Sequence, residues 1–392
     1  MQQFLDFKTI EEITEKIIDY RGKTPPKTDR GIKLLTAKVI KDGYILDGKH
    51  EYISEETYPE WMTRGFPKKG DVLITTEAPL GEVALLRTNE KVALAQRVIL
   101  LRGKPNLIDQ TYYMYALKTS FVQEQLRARS VSTTVAGIKQ SELVEVKIPL
   151  LPIAEQKRIA AIAQKCDRLR RTRRYTQQLS DSYLRSVFLE MFGDPVTNTK
   201  GWSTVRVAEI GKVETGNTPS REVSEYYGDY IEWIKSDNIL DGEIFLSKAE
   251  EKLSEHGLKV CRSVESGSIL VTCIAGSIRS IGTVAFANRK VAFNQQINAV
   301  TPNRDIHPLF LYGLFLYCKP LVQRHATSSM KRIITKSKFE ELLVFNPPLP
   351  LQEKFAQIVQ RFERLRAQQR EADRQAEHLF QTVLHRAFRG EL

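Results

Sequence analysis

The stretches IAAIAQKCDRLRRTRRYTQQLSDSYLRSV (residues 159–187) and FAQIVQRFERLRAQQREADRQAEHLFQTV (residues 355–383) decide the architecture. Apolar or small residues at Ile159, Ile162, Cys166, Leu169, Thr176, Ser180, Tyr183 and Val187 recur 196 residues later as Phe355, Ile358, Phe362, Leu365, Ala372, Ala376, Leu379 and Val383. Steps within each copy alternate three and four, so each carries a heptad seam through about four heptads. Arg173 and Gln369 fill a polar layer of that seam. The expected seam contacts are therefore Ile159, Ile162, Leu169, Tyr183 and Val187, facing Phe355, Ile358, Phe362, Leu365, Leu379 and Val383.

Working outward, the rest of the chain is also written twice. Gly22-Lys23-Thr24-Pro25 matches Gly216-Asn217-Thr218-Pro219, a turn signal opening each copy. Residues 32–43 match 231–242, residues 70–75 match 267–272, and residues 93–97 match 292–296. Short β-branched runs bounded by glycine predict strands at Val72–Thr75, Val83–Arg87, Val98–Leu101, Ile269–Thr272 and Thr283–Phe286. One-sided apolar patterns predict helices over Gln110–Leu126 and Pro308–Gln323. Each copy closes in a proline hinge, Ile148-Pro-Leu-Leu-Pro-Ile153 and Asn346-Pro-Pro-Leu-Pro-Leu351, which suits a helix start and forbids a helix running through.

The fold class follows as α/β: two strand-rich domains separated by an antiparallel coiled coil of two long helices, with pseudo-twofold internal duplication. The expected boundaries are 1–152 for the first domain and 153–193 for the first helix, then 194–350 and 351–392 for the second pair. Each helix of about 37 residues makes a rod of about 55 Å. The first helix leaves domain one for domain two and the second starts at domain two, so packing together requires opposite directions. A globular head is then expected at each end of the rod.

At 392 residues the chain exceeds a single ordinary core. Its 42% hydrophobic and 27% charged composition excludes wholesale disorder. Four scattered cysteines (Cys166, Cys261, Cys273, Cys318) form no CxxC pair, which argues against structural zinc or a disulfide framework. With no signal-like start and no 18-residue apolar run, a soluble cytoplasmic protein without membrane contact is expected. The net charge of +12 suggests a polyanionic partner, and residues 155–191 alone carry +5, around Arg168, Arg170, Arg171, Arg173 and Arg174. A charge run is by itself more often a solvated helix face.

The junction Phe192-Gly-Asp-Pro-Val-Thr-Asn-Thr-Lys-Gly-Trp202, the hinge segment Ile148-Pro-Leu-Leu-Pro-Ile-Ala-Glu-Gln-Lys-Arg-Ile159 and the end Ala387-Phe-Arg-Gly-Glu-Leu392 resemble specificity subunits of type I restriction–modification systems. The resemblance covers the whole chain, with the second hinge about two residues shorter than the first. It implies two target-recognition domains, each followed by a spacer helix, in a subunit that reads double-stranded DNA without catalysis or cofactor. It further implies assembly with two methylase subunits docked on the helices, with or without two restriction subunits. Each domain would read one half of an asymmetric bipartite site. A 55 Å rod spans roughly 16 base pairs, which fits two half-sites about one helical turn apart.

Candidate DNA contacts lie in polar, basic loops late in each domain. The first holds Arg127, Arg129, Ser132, Thr133, Thr134 and Lys139; the second holds Ser328, Ser329, Lys331, Arg332 and Lys336. Hydroxyls and lysines suit phosphates, and arginines can pair bidentately with guanine. Lys38 and Lys41, with Lys235, Ser236 and Asn238, sit on matching strand-to-loop segments. Ser277 and Arg279 follow a predicted strand. Gln96 and Gln295 align within apolar strands and are expected to be buried. Catalytic signals are weak: Asn346-Pro-Pro-Leu349 lacks the aromatic residue that stacks a flipped base, and no Gly-rich cofactor loop or P-loop is present. Asp241 with Glu250-Glu251-Lys252 fits only a loose nuclease spacing. His378 and His385 read as solvent-facing, not metal ligands. The rival readings are a coiled-coil scaffold with two protein-binding heads and no DNA contact, and a self-sufficient DNA-modifying enzyme.

Overall fold

The computed structural model describes residues 6–20, 24–48, 50–131, 136–328 and 331–391. The candidates Ser132, Thr133, Thr134 and Ser329 lie outside the described residues. The chain divides into two compact units, residues 1–174 with 372–392, and residues 175–371. Each unit holds one globular head and a part of each long helix.

In the first unit a four-stranded antiparallel sheet has the order Thr14–Asp19, Val98–Gly103, Val72–Thr75, Val83–Leu85. Beside it, Glu51–Ile53, Ile32–Leu35 and Val92–Leu94 form a three-stranded sheet whose last pair is parallel. Asp6–Thr9 pairs with Lys147–Leu150. Side chains alternate across a strand, and both faces of the four-stranded sheet are covered. Val72, Ile74, Ile99 and Leu101 pack toward the helices, while Leu73, Leu100 and Ala84 pack toward the smaller sheet. This double burial is why Val72–Thr75 reads as an unbroken apolar run instead of an alternating one.

The second unit repeats the plan. Gly211–Thr215, Ile297–Pro302, Ile269–Thr272 and Val284–Phe286 form the four-stranded sheet. Tyr227–Ile234 lies between Lys252–Leu253 and the parallel strand Val291–Phe293. An additional strand, Ser263–Val264, extends that sheet.

Each expected head helix is in fact two. Thr119 ends Gln110–Leu117 and caps Ser120–Ala128 by accepting from Val122 N. In the second unit Pro308–Tyr317 is followed by Lys319–Arg324, whose Pro320 lacks the N–H needed to continue the first helix.

The long helices run Ile153–Phe192 and Leu349–Ala387. The first stops at Gly193 (φ 80°), where a left-handed residue closes the helix without a Cβ penalty. Within each unit the two helices are antiparallel. In the second unit Ser180 meets Gln369 (3.0 Å) and Phe188 meets Phe355 (centroids 5.3 Å apart), so numbers rise on one helix as they fall on the other. In the first, Arg170 reaches Glu377 (3.2 Å) while Ile159 and Ala163 share a core with Leu384 and Phe388.

The heptad seam is only partly where the sequence puts it. Ile159, Phe355, Phe362 and Val383 are buried, and Ile162, Val187 and Ile358 are half-buried. Leu169, Tyr183, Leu365 and Leu379 are instead 42–57% exposed. The buried stripe is Gln156, Ile159, Ala160, Ala163, Asp167 and Arg170, copied as Gln352, Phe355, Ala356, Val359 and Arg366. The cause is that each helix serves two neighbours. Phe188, for example, packs on Phe310, Tyr317 and Phe345 of its head as well as on Phe355. The arc turned toward the head sets the deepest positions.

Two polar fastenings join head to helices. Buried Gln156 accepts from Asp109 N (2.8 Å) and donates to Leu107 O and Leu151 O. Gln352 accepts from His307 N (2.8 Å) and donates to Asn346 Oδ1 and Pro347 O. The second fastening is ionic. Asp42, on a turn with φ 53°, pairs with Lys118 (2.7 Å) and Arg170 (2.7 Å); Arg170 also holds Asp167 (2.6 Å) and Glu377. Its counterpart in the second unit uses Lys319 on Asp241, Arg366 on Gly242 O and Glu363, and Arg370 on Glu243. Arg171 lies over the Tyr44 ring, and Arg174 pairs with Glu377 and Asp42. Arg170, Arg171 and Arg174 of the basic run on the first helix thus serve the fold, where the sequence favoured a solvated helix face.

The ionic fastening has a pH signature. Burial opposes the Asp42 carboxylate, but Lys118 and Arg170 outweigh it and hold its carboxyl below the ordinary aspartate range. For Glu377 burial is likewise outweighed, by Gln381 and Arg170. Both folded values are depressed, so this stability is present above the unfolded carboxylate values, about pH 4, and is lost as pH falls through the folded ones. Asp42→Asn should lower stability at neutral pH by roughly 1–3 kcal/mol, because Lys118, Arg170 and Arg174 lose a charged acceptor. It should also flatten the loss of stability between about pH 5 and pH 3. Denaturant melts across that range test this; parallel wild-type and variant curves would count against it.

Candidate nucleic-acid interface

Each head carries a rim where the ends of its two sheets meet, held by the same backbone hydrogen bonds. In the first unit Ala95 N donates to Leu35 O (3.0 Å), Thr76 N to Arg97 O (3.1 Å), Ile138 N to Thr76 O (3.0 Å) and Val131 N to Gly137 O (2.8 Å). In the second, Asn294 N donates to Ile234 O (2.9 Å), Cys273 N to Gln296 O (2.8 Å), Ile334 N to Cys273 O (2.9 Å) and Thr327 N to Ile333 O (2.9 Å). Four segments distant in sequence are stitched in one order: the turn after the first parallel strand, the turn between the last two strands, the loop after the central strand, and the late basic loop.

The rim unites most of the expected contacts. Lys38 stands exposed on the first turn of the first rim, and Lys139 on the late loop, whose flanks carry Arg127 and Arg129. Gln96 is half-buried and lines a cleft of about 370 Å³ with Thr76, Glu77, Gly137 and Lys139. In the second unit the Ser236 hydroxyl donates to Gln296 Oε1 (3.1 Å), and Asn238 accepts from Lys235 N (3.0 Å). Ser277 caps the short turn bearing Arg279, and Ala275 pairs with Arg332 across a two-stranded bridge. Ser328 and Lys331 flank that bridge on the late loop.

Pairing sorts the cations by what they can still bind. Lys38, Lys41, Arg127, Lys139 and Arg279 make no ion pair among the described residues. Arg129 is paired with Glu142 (3.6 Å), Lys336 with Glu340 (3.4 Å), and Lys235 with Glu251. The Lys235 ammonium holds the Glu251 carboxyl below the ordinary glutamate range, against its partial burial and with help from Arg221.

Two expectations need correction. Lys41 stands next to Asp42, on the turn that grips the helices, and so is not grouped with the rim. Gln295 is exposed and Gln96 only half-buried, where both were expected to be buried; Gln295 Oε1 accepts from the Thr218 hydroxyl. Sequence reasoning also passes over Asn294, Gln296 and the Arg97–Glu77 ion pair, all at the rim. Their signal is the matching Ala-x-x-Gln pattern at 93–96 and 292–295, which reads as strand interior but turns out to be a turn between strands.

The weak catalytic patterns are absorbed by the fold. Asn346 uses its side-chain oxygen to hold Gln352, so Asn346-Pro-Pro-Leu349 is a hinge. Asp241 pairs with Lys319, and Glu251 is shared by two cations. Among the described residues no cluster of three or more metal-ligating side chains occurs, and no helix is long and apolar enough to cross a membrane.

Comparison with known proteins gives one consistent result. A family model described as "Type I restriction modification DNA specificity domain" matches residues 5–179 and again residues 199–374. The type I restriction enzyme MjaIX specificity subunit of Methanocaldococcus jannaschii is 25% identical over 338 residues, covering 81% of this chain and 76% of that protein. The EcoBI specificity subunit of Escherichia coli is 27% identical over 353 residues, covering 79% and 71%. Among solved structures, the type I restriction–modification system S subunit from M. genitalium superposes with a TM-score of 0.59 at 16% identity over 99% of this chain and 97% of that one. A chain from a study of type I R-M complex assembly and conformational transition gives 0.60 at 19% identity, covering 99% and 98%. At such identities these two structures speak to the fold alone.

Proposed function

The chain belongs to the type I restriction–modification DNA specificity family, and from that premise we propose that its two heads each read one half of an asymmetric bipartite DNA site. The paired helices set the number of unread base pairs and dock two methylase subunits, with or without two restriction subunits, in a cytoplasmic complex. Chemistry is left to those partners, and the chain itself needs no cofactor.

The observation that carries this reading is the rim. One set of backbone bonds is built twice, from different side chains: Thr36, Ala37 and Lys38 stand where Lys235, Ser236 and Asp237 stand in the other copy. Equal frames with unequal donors and acceptors are what two different half-sites require. Docking on the helices is supported by Leu169, Leu365, Tyr183 and Leu379, large apolar side chains left exposed at matching positions on helices that already pack two other neighbours.

Genome-wide adenine methylation mapping, with the chain co-expressed beside its methylase partner, tests the proposal. A single bipartite motif with a fixed gap is expected, and a continuous motif or none would sink it. The scaffold alternative predicts no DNA affinity at low salt, whereas binding by the assembled complex should fall steeply as salt rises.

Two further outcomes follow from the geometry. Inserting one heptad at matching places in both helices should lengthen the pair by about 10 Å, or roughly 3 base pairs. The mapped gap should widen while both half-sites keep their sequences; altered half-sites would contradict the spacer role. Replacing Lys38, Lys139 or Arg279 with Ala should weaken binding across all sequences and reduce the salt slope by about one for each phosphate no longer neutralised. Arg129→Ala and Lys336→Ala should change it less, since those cations are already paired. Salt titrations of DNA affinity distinguish the two groups.

A further inference from the structure

Beside each rim, the turn that opens the head lays a cation on a carboxylate. In the second unit this is Arg221, two residues after Pro219: its Nη2 lies 2.6 Å from Glu251 Oε2, while Lys235 takes the other oxygen of the same carboxylate. The guanidinium lies over the rings of Tyr227 (4.7 Å to the centroid) and Trp233 (5.3 Å). The turn is fastened to the rim, since Asn217 N donates to Phe293 O and the Thr218 hydroxyl to Gln295.

The first unit repeats the pair with a different cation. Lys27, two residues after Pro25, lies 2.8 Å from Glu51. Glu51 stands opposite Leu34 in its sheet, and Glu251 O accepts from Trp233 N at the equivalent point of the other. The duplication has thus kept a cation–carboxylate pair at one place in both heads, as an ammonium in one and a guanidinium in the other.

Fold stability accounts poorly for Arg221. Its side chain is 57% exposed, and exposed pairs of this kind contribute only about 0–1 kcal/mol. Lys235 alone would neutralise Glu251, so the trio keeps a net positive charge. The carboxylate and the aromatic rings fix the plane of the guanidinium, while its Nη1 and Nε donors have no partner among the described residues. Nη2 spends one hydrogen on Glu251 and keeps a second, which with the neighbouring Nη1 or Nε makes a rigid planar edge that matches the O6 and N7 acceptors of guanine; an ammonium has no such pre-set edge.

We propose that Arg221 is a specificity-determining residue of the second head, pairing with a guanine in the half-site that this head reads. Lys27 holds the same position in the first head as a point charge. The inference rests on the function proposed above.

The test is methylation mapping with assembled complexes carrying Arg221→Gln, Arg221→Lys or Lys27→Gln. Arg221→Lys keeps the ion pair, so its complex serves as the folded reference, checked by thermal melting. Both Arg221 variants should lose discrimination at one guanine of one half-site, by about tenfold to hundredfold. The gap and the other half-site should stay unchanged. Lys27→Gln should alter only the opposite half-site. An unchanged motif, or methylation weakened equally at all sites as for a phosphate contact, would overturn the assignment while leaving the bipartite reading intact. A wild-type complex that gives no bipartite motif would instead remove the premise, and the assignment with it.

Discussion

Gln156 and Gln352 each sit fully buried at the first turn of a long helix, where an unpaired amide would cost about 1–3 kcal/mol for each group left unsatisfied. Neither leaves its amide unpaired. Each accepts from the N–H that starts a head helix, at Asp109 or His307, and each donates into the proline hinge behind it. Three pieces of chain that share no sheet are thereby locked into one geometry. The direction in which a long helix leaves its head is set here, because the amide cannot turn without breaking three hydrogen bonds in a dry site. Everything further along the helix inherits that direction.

The inheritance explains the uneven character of the helices. Near each hinge the stripe is apolar and tightly packed, as with Phe188 and Phe192, each of which packs on both Phe310 and Phe355. Gly313 belongs to the same packing: a Cβ there would come within 2.9 Å of the Phe355 ring. Further along, contact passes to Arg170, Asp167 and Glu377, or to Arg366 and Glu363, where charge and direction replace volume. Ion pairs specify register more sharply than smooth apolar surfaces do, at some cost in stability. Exposed Leu169 and Leu365 follow from the same division, since the arc that bears them is used by neither the head nor the stripe.

Legibility in the sequence tracks how local the cause is. Val72–Thr75 and Ile269–Thr272 are readable to the residue, because burial on both faces writes an apolar run with glycine before it. The helix break at Thr119 is not, since Thr is compatible with a helix interior and its capping role shows only once Val122 N lacks an acceptor. The heptad period is real, but a period cannot say which of two neighbours claims each position, so it puts Tyr183 and Leu379 inside when the fold leaves them out. Cation roles are the least legible. Arg170 reads like Arg173, and only the fold brings Asp42, 128 residues away, to one of them. The rim is visible as scattered candidates; what joins them is a set of backbone bonds with no side-chain signature.

That last point bears on how such a head can change what it reads. The bonds from Ala95 to Leu35 and from Asn294 to Ile234, and those that follow them around each rim, use only backbone atoms, which every residue except proline at the donor position can supply. The frame is therefore indifferent to the side chains it presents. Substitution at Thr36 or Gln96 alters the donors and acceptors offered without removing one of these backbone bonds, and the same holds for their partners Lys235 and Gln295, whose side-chain hydrogen bonds go to Glu251 and Thr218. The helices have no such freedom, because their fastenings are made by named side chains, Gln156 and Arg170 in one unit, Gln352 and Arg366 in the other. Variation is tolerated at the rim and costly at the hinge, and the two copies differ accordingly: 196 residues apart, the hinge glutamines and anchor arginines are identical, while the first rim turn, Thr36-Ala37-Lys38 against Lys235-Ser236-Asp237, differs at every position.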